Sequence, residues 1–115
     1  MIKLIDRIPV CPHGTKDNLD KDLILSLERL ERELERKLRY NSGYRCEACN
    51  AAAGGVKNSA HVRGKAVDII VADSMQRFVI VRAVLQFSFV RVGIGKNFVH
   101  VDVDTSLPQF VLWLY

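Results

Sequence analysis

Two histidines and an aspartate, His61, Asp68 and His100, are the residues whose types and spacing point to chemistry. They lie in Ser59-Ala60-His61-Val62-Arg63-Gly64-Lys65-Ala66-Val67-Asp68 and, further along, in Phe98-Val99-His100-Val101-Asp102. Two imidazoles and one carboxylate are a usual ligand set for a hydrolytic zinc ion, which keeps a fourth position open for water or substrate. Taken singly, a histidine or aspartate near a strand end is more often a satisfied polar group. Spacing and company set these three apart.

The elements that must position them follow from periodicity. In a strand from Phe98 to Asp104, the period of two puts Phe98, His100, Asp102 and Asp104 on one face, and sends Val99, Val101 and Val103 to the core. Lys65 to Val71 alternates in the same way, with Ala66, Asp68 and Ile70 opposite Val67, Ile69 and Val71. Ligands on strands are held by rigid backbone, while His61 comes from the loop just before. Asp102 shares the face of His100 and is placed to orient an imidazole by accepting its N–H rather than to bind metal itself.

Around these strands, Leu23, Leu27, Leu30, Leu34 and Leu38 predict an amphipathic helix from Leu19 or Asp20 to Arg39, capped by Asp17 or Asn18. Its polar face offers Glu28–Arg32, Glu33–Lys37 and Glu35–Arg39 pairs, each contributing roughly 0.2–0.5 kcal/mol. Tyr40 to Gly64, rich in Asn, Ser, Gly and Ala, reads as a long and mostly irregular segment, of the kind that is usually functional in a small domain. A second helix is expected from Met75 to Phe87, then strands at Arg91–Gly95, Phe98–Val103 and Phe110–Tyr115. This order predicts a single α+β domain over 1–115, with an antiparallel sheet and helices packed against it.

With 115 residues, 49% of them apolar and 26% charged, the chain suits one core and excludes a disordered tail. No window reaches the roughly eighteen uninterrupted apolar residues of a membrane span. Lys3, Asp6 and Arg7 interrupt the N-terminus, so no signal peptide is read there, and the expectation is cytoplasmic synthesis with action elsewhere after release or export. The net charge of +4 favours anionic surroundings. However, the basic residues from Arg29 to Arg39 alternate with acids, so nucleic-acid binding is not expected. A monomer is expected.

Three cysteines remain. Cys46-x-x-Cys49 suggests redox or structural zinc chemistry, and Cys11 with His13 could supply two more ligands. Cys11-Pro12-His13 is more tightly spaced than familiar zinc patterns. The expectation is therefore unpaired thiols, or one disulfide between Cys11 and a cysteine of the later pair.

Ser42-Gly43-Tyr44-Arg45, Asn50, Gly54-Gly55, Ser59-x-His61-x-x-Gly64-x-Ala66-x-Asp68 and His100-x-Asp102 together resemble the zinc D-alanyl-D-alanine carboxypeptidases and related endolysin peptidases of cell-wall metabolism. Hedgehog signalling domains share that fold and zinc site. The resemblance runs from about Leu19 to Tyr115. It implies zinc as cofactor, His61, Asp68 and His100 as its ligands, and a peptidoglycan peptide as substrate. It also implies that Arg45 faces that substrate, that Ser59 lies beside the site and that Asp102 supports it. Tyr44 is assigned to substrate contact with Ser59. Phe89, Phe98 and Trp113 are further aromatic residues available to the cleft, although in so small a domain such residues more often build core.

One position departs from the family. Many relatives carry a Glu or Asp three residues before the second zinc-binding histidine as general base, and here that residue is Asn97, whose amide accepts no proton. His13, Glu47 and Asp104 are the titratable candidates to replace it. The leading expectation is a zinc peptidase cutting peptidoglycan stems or cross-bridges. The alternative is a zinc-stabilised binding module of the same fold that no longer catalyses.

Overall fold

The computed structural model describes residues 2–87 and 89–115. The first long helix, α1, runs Lys21–Leu34, and its N-cap is Asp20, whose carboxylate accepts the backbone N–H groups of Asp22 and Leu23. Both ends differ from the expectation. Thr15 caps a separate 3-10 turn over Lys16–Asn18, which leaves Asp17 and Asn18 outside the helix. At the other end Glu35 adopts a left-handed conformation with φ 53°, and the chain folds back.

Glu31 explains that early stop. Its carboxylate accepts Arg7 at 2.5 Å, the backbone N–H of Leu38 at 3.0 Å and the Tyr40 hydroxyl at 2.8 Å. Pulling Leu38 back onto the helix in this way buries it from a turn instead of a helical face. The Glu33–Lys37 and Glu35–Arg39 pairs therefore fall outside the helix. Burial, reinforced by the Glu31 charge, pushes the Tyr40 phenol well above its ordinary pKa. Glu31→Ala strands a guanidinium, an N–H and a phenol in one place and should destabilise the fold by about 3 kcal/mol, measured as a shift in urea midpoint at unchanged slope.

After α1 come β1 Tyr40–Ser42, α2 Glu47–Ala52, a 3-10 turn at Ala60–Arg63, β2 Ala66–Ile70, α3 Ser74–Gln86, β3 Arg91–Ile94, β4 Phe98–Asp102 and β5 Val111–Leu114. The segment expected to be irregular thus contains a strand, a short helix and the turn that carries His61. The five strands lie in the order β1-β2-β4-β3-β5. β1 pairs with β2, β2 with β4 and β4 with β3, all antiparallel, whereas β5 runs parallel to β3. The sheet is therefore mixed, not antiparallel throughout. The chain leaves β4, crosses to the far side of β3 and returns reversed, so it must run with β3.

The core lies on one face of this sheet. Val67, Ile69, Val92, Val99 and Val101 meet Leu23, Leu27 and Leu30 of α1 and Ile80 and Val84 of α3, all of them almost fully buried. Burying an aliphatic side chain of this kind stabilises by about 1.5–3 kcal/mol, so packing against the helices sets which strand face turns inward. The alternate positions, Asp68, His100 and Asp102 among them, necessarily share the opposite face. Among the described residues, no helix is long and apolar enough to cross a membrane.

Candidate metal centre

The pairing register lines up one row of residues across the whole sheet. Ser42 is opposite Asp68, Asp68 opposite His100, His100 opposite Gly93, and Gly93 opposite Trp113. His61 reaches the row from the 3-10 turn, where the Ser59 hydroxyl accepts its backbone N–H at 3.2 Å. Gly64 ends that turn at φ 70°, and a Cβ there would stand 1.8 Å from the Asn18 carbonyl oxygen. Only glycine meets both demands, which accounts for its place between His61 and Asp68.

The donor atoms converge. Asp68 Oδ1 lies 3.2 Å from His61 Nε2 and 3.2 Å from His100 Nδ1, close to the roughly 3.3 Å donor spacing that metal–ligand lengths of about 2.0–2.1 Å impose in a tetrahedron. The far nitrogens fix both rings. His61 Nδ1 is 2.7 Å from the Gly43 carbonyl, and His100 Nε2 is 2.8 Å from Asp102 Oδ2. Each of those nitrogens must donate its proton to oxygen, leaving His61 Nε2 and His100 Nδ1 as lone-pair donors facing Asp68. Asp102 is itself held, because its Oδ1 accepts Arg91 Nε at 2.8 Å and the Asp104 backbone N–H at 3.1 Å.

Charge follows this wiring. Without a metal those two nitrogens can carry protons instead, and burial, which pushes the Asp68 carboxyl up, is then outweighed by the hydrogen bonds and charge that His100 and His61 offer, so the group is held far below the usual carboxylate range. Burial pushes His100 down, and Asp102 and Asp68 more than reverse this, so its pKa is raised. In the metal-free protein a raised pKa means that His100 stabilises the fold fully below its unfolded value, about 6.5, and that this contribution is lost as pH rises through the folded value. The stability difference between metal-free wild type and His100→Gln should therefore be largest below about pH 6.5 and shrink at higher pH, read by urea unfolding at a series of pH values.

An open cleft of about 550 Å³ leads to this centre, lined by Ser42, Arg45, Ser59, His61, Asp68, Phe98 and Tyr115 among others. Arg45 approaches Asp68 Oδ2 at 3.8 Å, while its buried Nε has no hydrogen-bond partner among the described residues. Ser42 donates its hydroxyl to that same Oδ2 at 2.9 Å. The two carboxylate oxygens are therefore divided, one turned to the imidazoles and the other to the cleft wall. Tyr44 is placed differently, with its ring against Gly14 and packed beside the core, not among the cleft residues. Phe89 is buried in the core. Trp113 packs against His100 with the rings tilted at 53° and their centroids 5.2 Å apart, in space that Gly93 leaves free.

Asn97 sits exposed in the turn between β3 and β4, its carbonyl accepting the Val71 N–H at 3.0 Å. The three titratable candidates to replace it are engaged elsewhere. His13 lies among the cysteines. Glu47 lines a separate pocket of about 720 Å³ with Asn50, Lys57 and Arg63, and Asp104 binds Arg63 and Ser106. Sequence reasoning did not single out Arg91, Tyr115 or the Gly43 carbonyl. The signal for Arg91 and Tyr115 was the strand alternation at 91–94 and 111–114, which fixes faces but not neighbours.

No curated protein matches the chain. A family model described as Peptidase M15 matches residues 6–102, a span that takes in Arg45, Ser59 and every donor of the centre. M15 peptidases are metal-dependent, in keeping with the donor set at the foot of the cleft, and the chain belongs to the Peptidase M15 family.

Proposed function

We propose that the protein is a zinc peptidase that hydrolyses a peptide bond in peptidoglycan stem or cross-bridge peptides. The observation that carries this reading is the convergence of His61 Nε2, Asp68 Oδ1 and His100 Nδ1 beside an arginine whose buried Nε is unpaired among the described residues. Two neutral imidazole nitrogens and one carboxylate suit zinc, and three protein ligands leave a position for reactants. When bound, such a metal polarises the scissile carbonyl and makes water a nucleophile near neutral pH.

The chain's own residues supply the rest. Asp102 holds His100 in the tautomer that presents Nδ1, and Arg91 holds Asp102 in place by donating to its other oxygen. Arg45 offers a forked, permanently charged donor to an oxyanion or to a substrate carboxylate. Partial desolvation, the leading cause, pushes the Tyr115 phenol up although the residue is largely exposed, so it stays protonated and serves as a donor at the cleft wall. Phe98, in ring contact with Tyr115 at 4.9 Å, gives that wall an apolar surface.

A second reading, a metal-stabilised binding module without hydrolysis, is favoured by one observation, the exposed amide of Asn97 where relatives carry a base. Digestion of purified peptidoglycan fragments by zinc-loaded protein, read by mass spectrometry beside chelator-treated and His61→Ala controls, separates the two. Cleavage lost in both controls supports the peptidase and names the bond. Intact fragments that nonetheless bind the zinc-loaded protein support the module.

A further inference from the structure

The cysteines are not scattered thiols. Cys11, His13, Cys46 and Cys49 place one donor atom each within 4.8 Å of all the others, although residues 11–13 and 46–49 are far apart in sequence. His13 Nδ1 lies 3.3 Å from Cys49 Sγ and 3.5 Å from Cys46 Sγ. With metal–sulfur lengths of about 2.3 Å and metal–nitrogen lengths of about 2.0–2.1 Å, a tetrahedral centre requires S···N separations of about 3.5 Å. All three cysteines are free and half-buried.

Local structure explains why so tight a spacing works. The backbone turns between Cys11 and Gly14, whose N–H donates to the Cys11 carbonyl at 3.1 Å, and this swings His13 round to the side of Cys11. Cys46 is the N-cap of α2 and Cys49 lies one turn into it, so both sulfurs face the same way. Two backbone N–H groups point at sulfur, Cys46 N–H to Cys11 Sγ and Cys49 N–H to Cys46 Sγ, each at 3.4 Å. Such donors stabilise sulfur carrying negative charge, the form that binds metal. A disulfide would use two of these four donors and leave an imidazole and a thiol idle.

We propose that Cys11, His13, Cys46 and Cys49 form a second metal site, a structural zinc centre separate from the centre in the cleft. Three thiolates and one imidazole are a donor set that selects zinc over magnesium or calcium, and four protein ligands leave no position for a substrate. The centre ties the N-terminal segment to the residues just after β1. Arg45 is held between the two sites, since the Tyr44 carbonyl accepts the Cys11 N–H at 3.0 Å and Arg45 N–H donates to the His61 carbonyl at 3.1 Å. In a domain this small, such a staple takes the place of core that a larger chain would have.

The proposal stands apart from the hydrolytic reading, and its test needs no turnover. Purified full chain is loaded with zinc, washed and analysed for metal and free thiols, and a parallel sample is loaded with cobalt for absorption spectroscopy. Two zinc ions per chain, with all three thiols protected from a thiol reagent until chelator is added, are expected. Cobalt should give an intense thiolate charge-transfer band in the near ultraviolet. His100→Ala should lose one ion and keep the band, whereas Cys49→Ser should lose the band. One zinc per chain with three thiols reactive in the loaded protein overturns the proposal, and so does an intact mass that reveals a disulfide. Should Cys49→Ser fail to fold, wild-type stoichiometry and the band in His100→Ala still decide it.

Discussion

Asp68→Asn should empty the cleft centre and reduce peptide hydrolysis to background, while the protein still folds. Asp68 Oδ1 is the atom common to both imidazoles, at 3.2 Å from each, so an amide there removes the only negative donor and turns two lone pairs on a neutral group. The loss should exceed that from Asp102→Asn, which leaves all three ligands and weakens only the orientation of His100. A change behind a ligand costs roughly 10–100-fold in metal affinity. Competition with a graded series of chelators, run on both variants and on wild type, gives the order. Equal affinities for Asp68→Asn and wild type would remove Asp68 from the ligand set.

Arg45→Ala should lower kcat/KM by about 10²–10³-fold, the range for removing a donor aimed at developing negative charge, with metal content unchanged. Arg45→Lys should recover little, because an ammonium cannot reproduce the fork of a guanidinium. The way the loss divides between kcat and KM identifies the partner. A loss mainly in kcat, shared by all substrates, places Arg45 on the oxyanion. A rise in KM confined to substrates with a free terminal carboxylate places it on that carboxylate and makes the enzyme a carboxypeptidase. Matched substrates with free and amidated C-termini supply the comparison.

The three converging donors were legible because each sits where a simple period applies. Asp68 and His100 fall at alternate positions of short valine-rich strands, and His61 follows a serine that caps a turn. Asp102 was legible for the same reason, two residues from its imidazole. What escaped depended on which strand lies next to which. Arg91 meets Asp102 only through the β3–β4 register, and Tyr115 reaches the cleft only because β5 arrives parallel to β3. The end of α1 was hidden in another way, since its heptad-like leucines continue through Leu38 while Glu31 breaks the helix by reaching outside it. Tyr44 shows the reverse error, a residue given to the cleft by its neighbours in sequence and taken from it by the space above Gly14. The cysteines are unpaired, one of the two states that their spacing suggested, but their meeting with His13 depends on a turn at Cys11–Gly14 that spacing along the chain does not reveal.

Asp68 and His100 stand directly opposite each other in the β2–β4 ladder, and this would give an ion bound between them a role outside any reaction. A slip of one residue between these strands would move an entire side-chain set to the wrong face, sending valines toward the cleft and the imidazole toward the leucines of α1. Only the native alignment brings carboxylate and imidazole into the same coordination sphere. A bound ion thus acts as a check on assembly, rewarding the one strand alignment that also closes the core. Amide protons at the centre of β2 and β4 should then be the ones whose exchange slows most when metal is added, ahead of those lining the cleft itself.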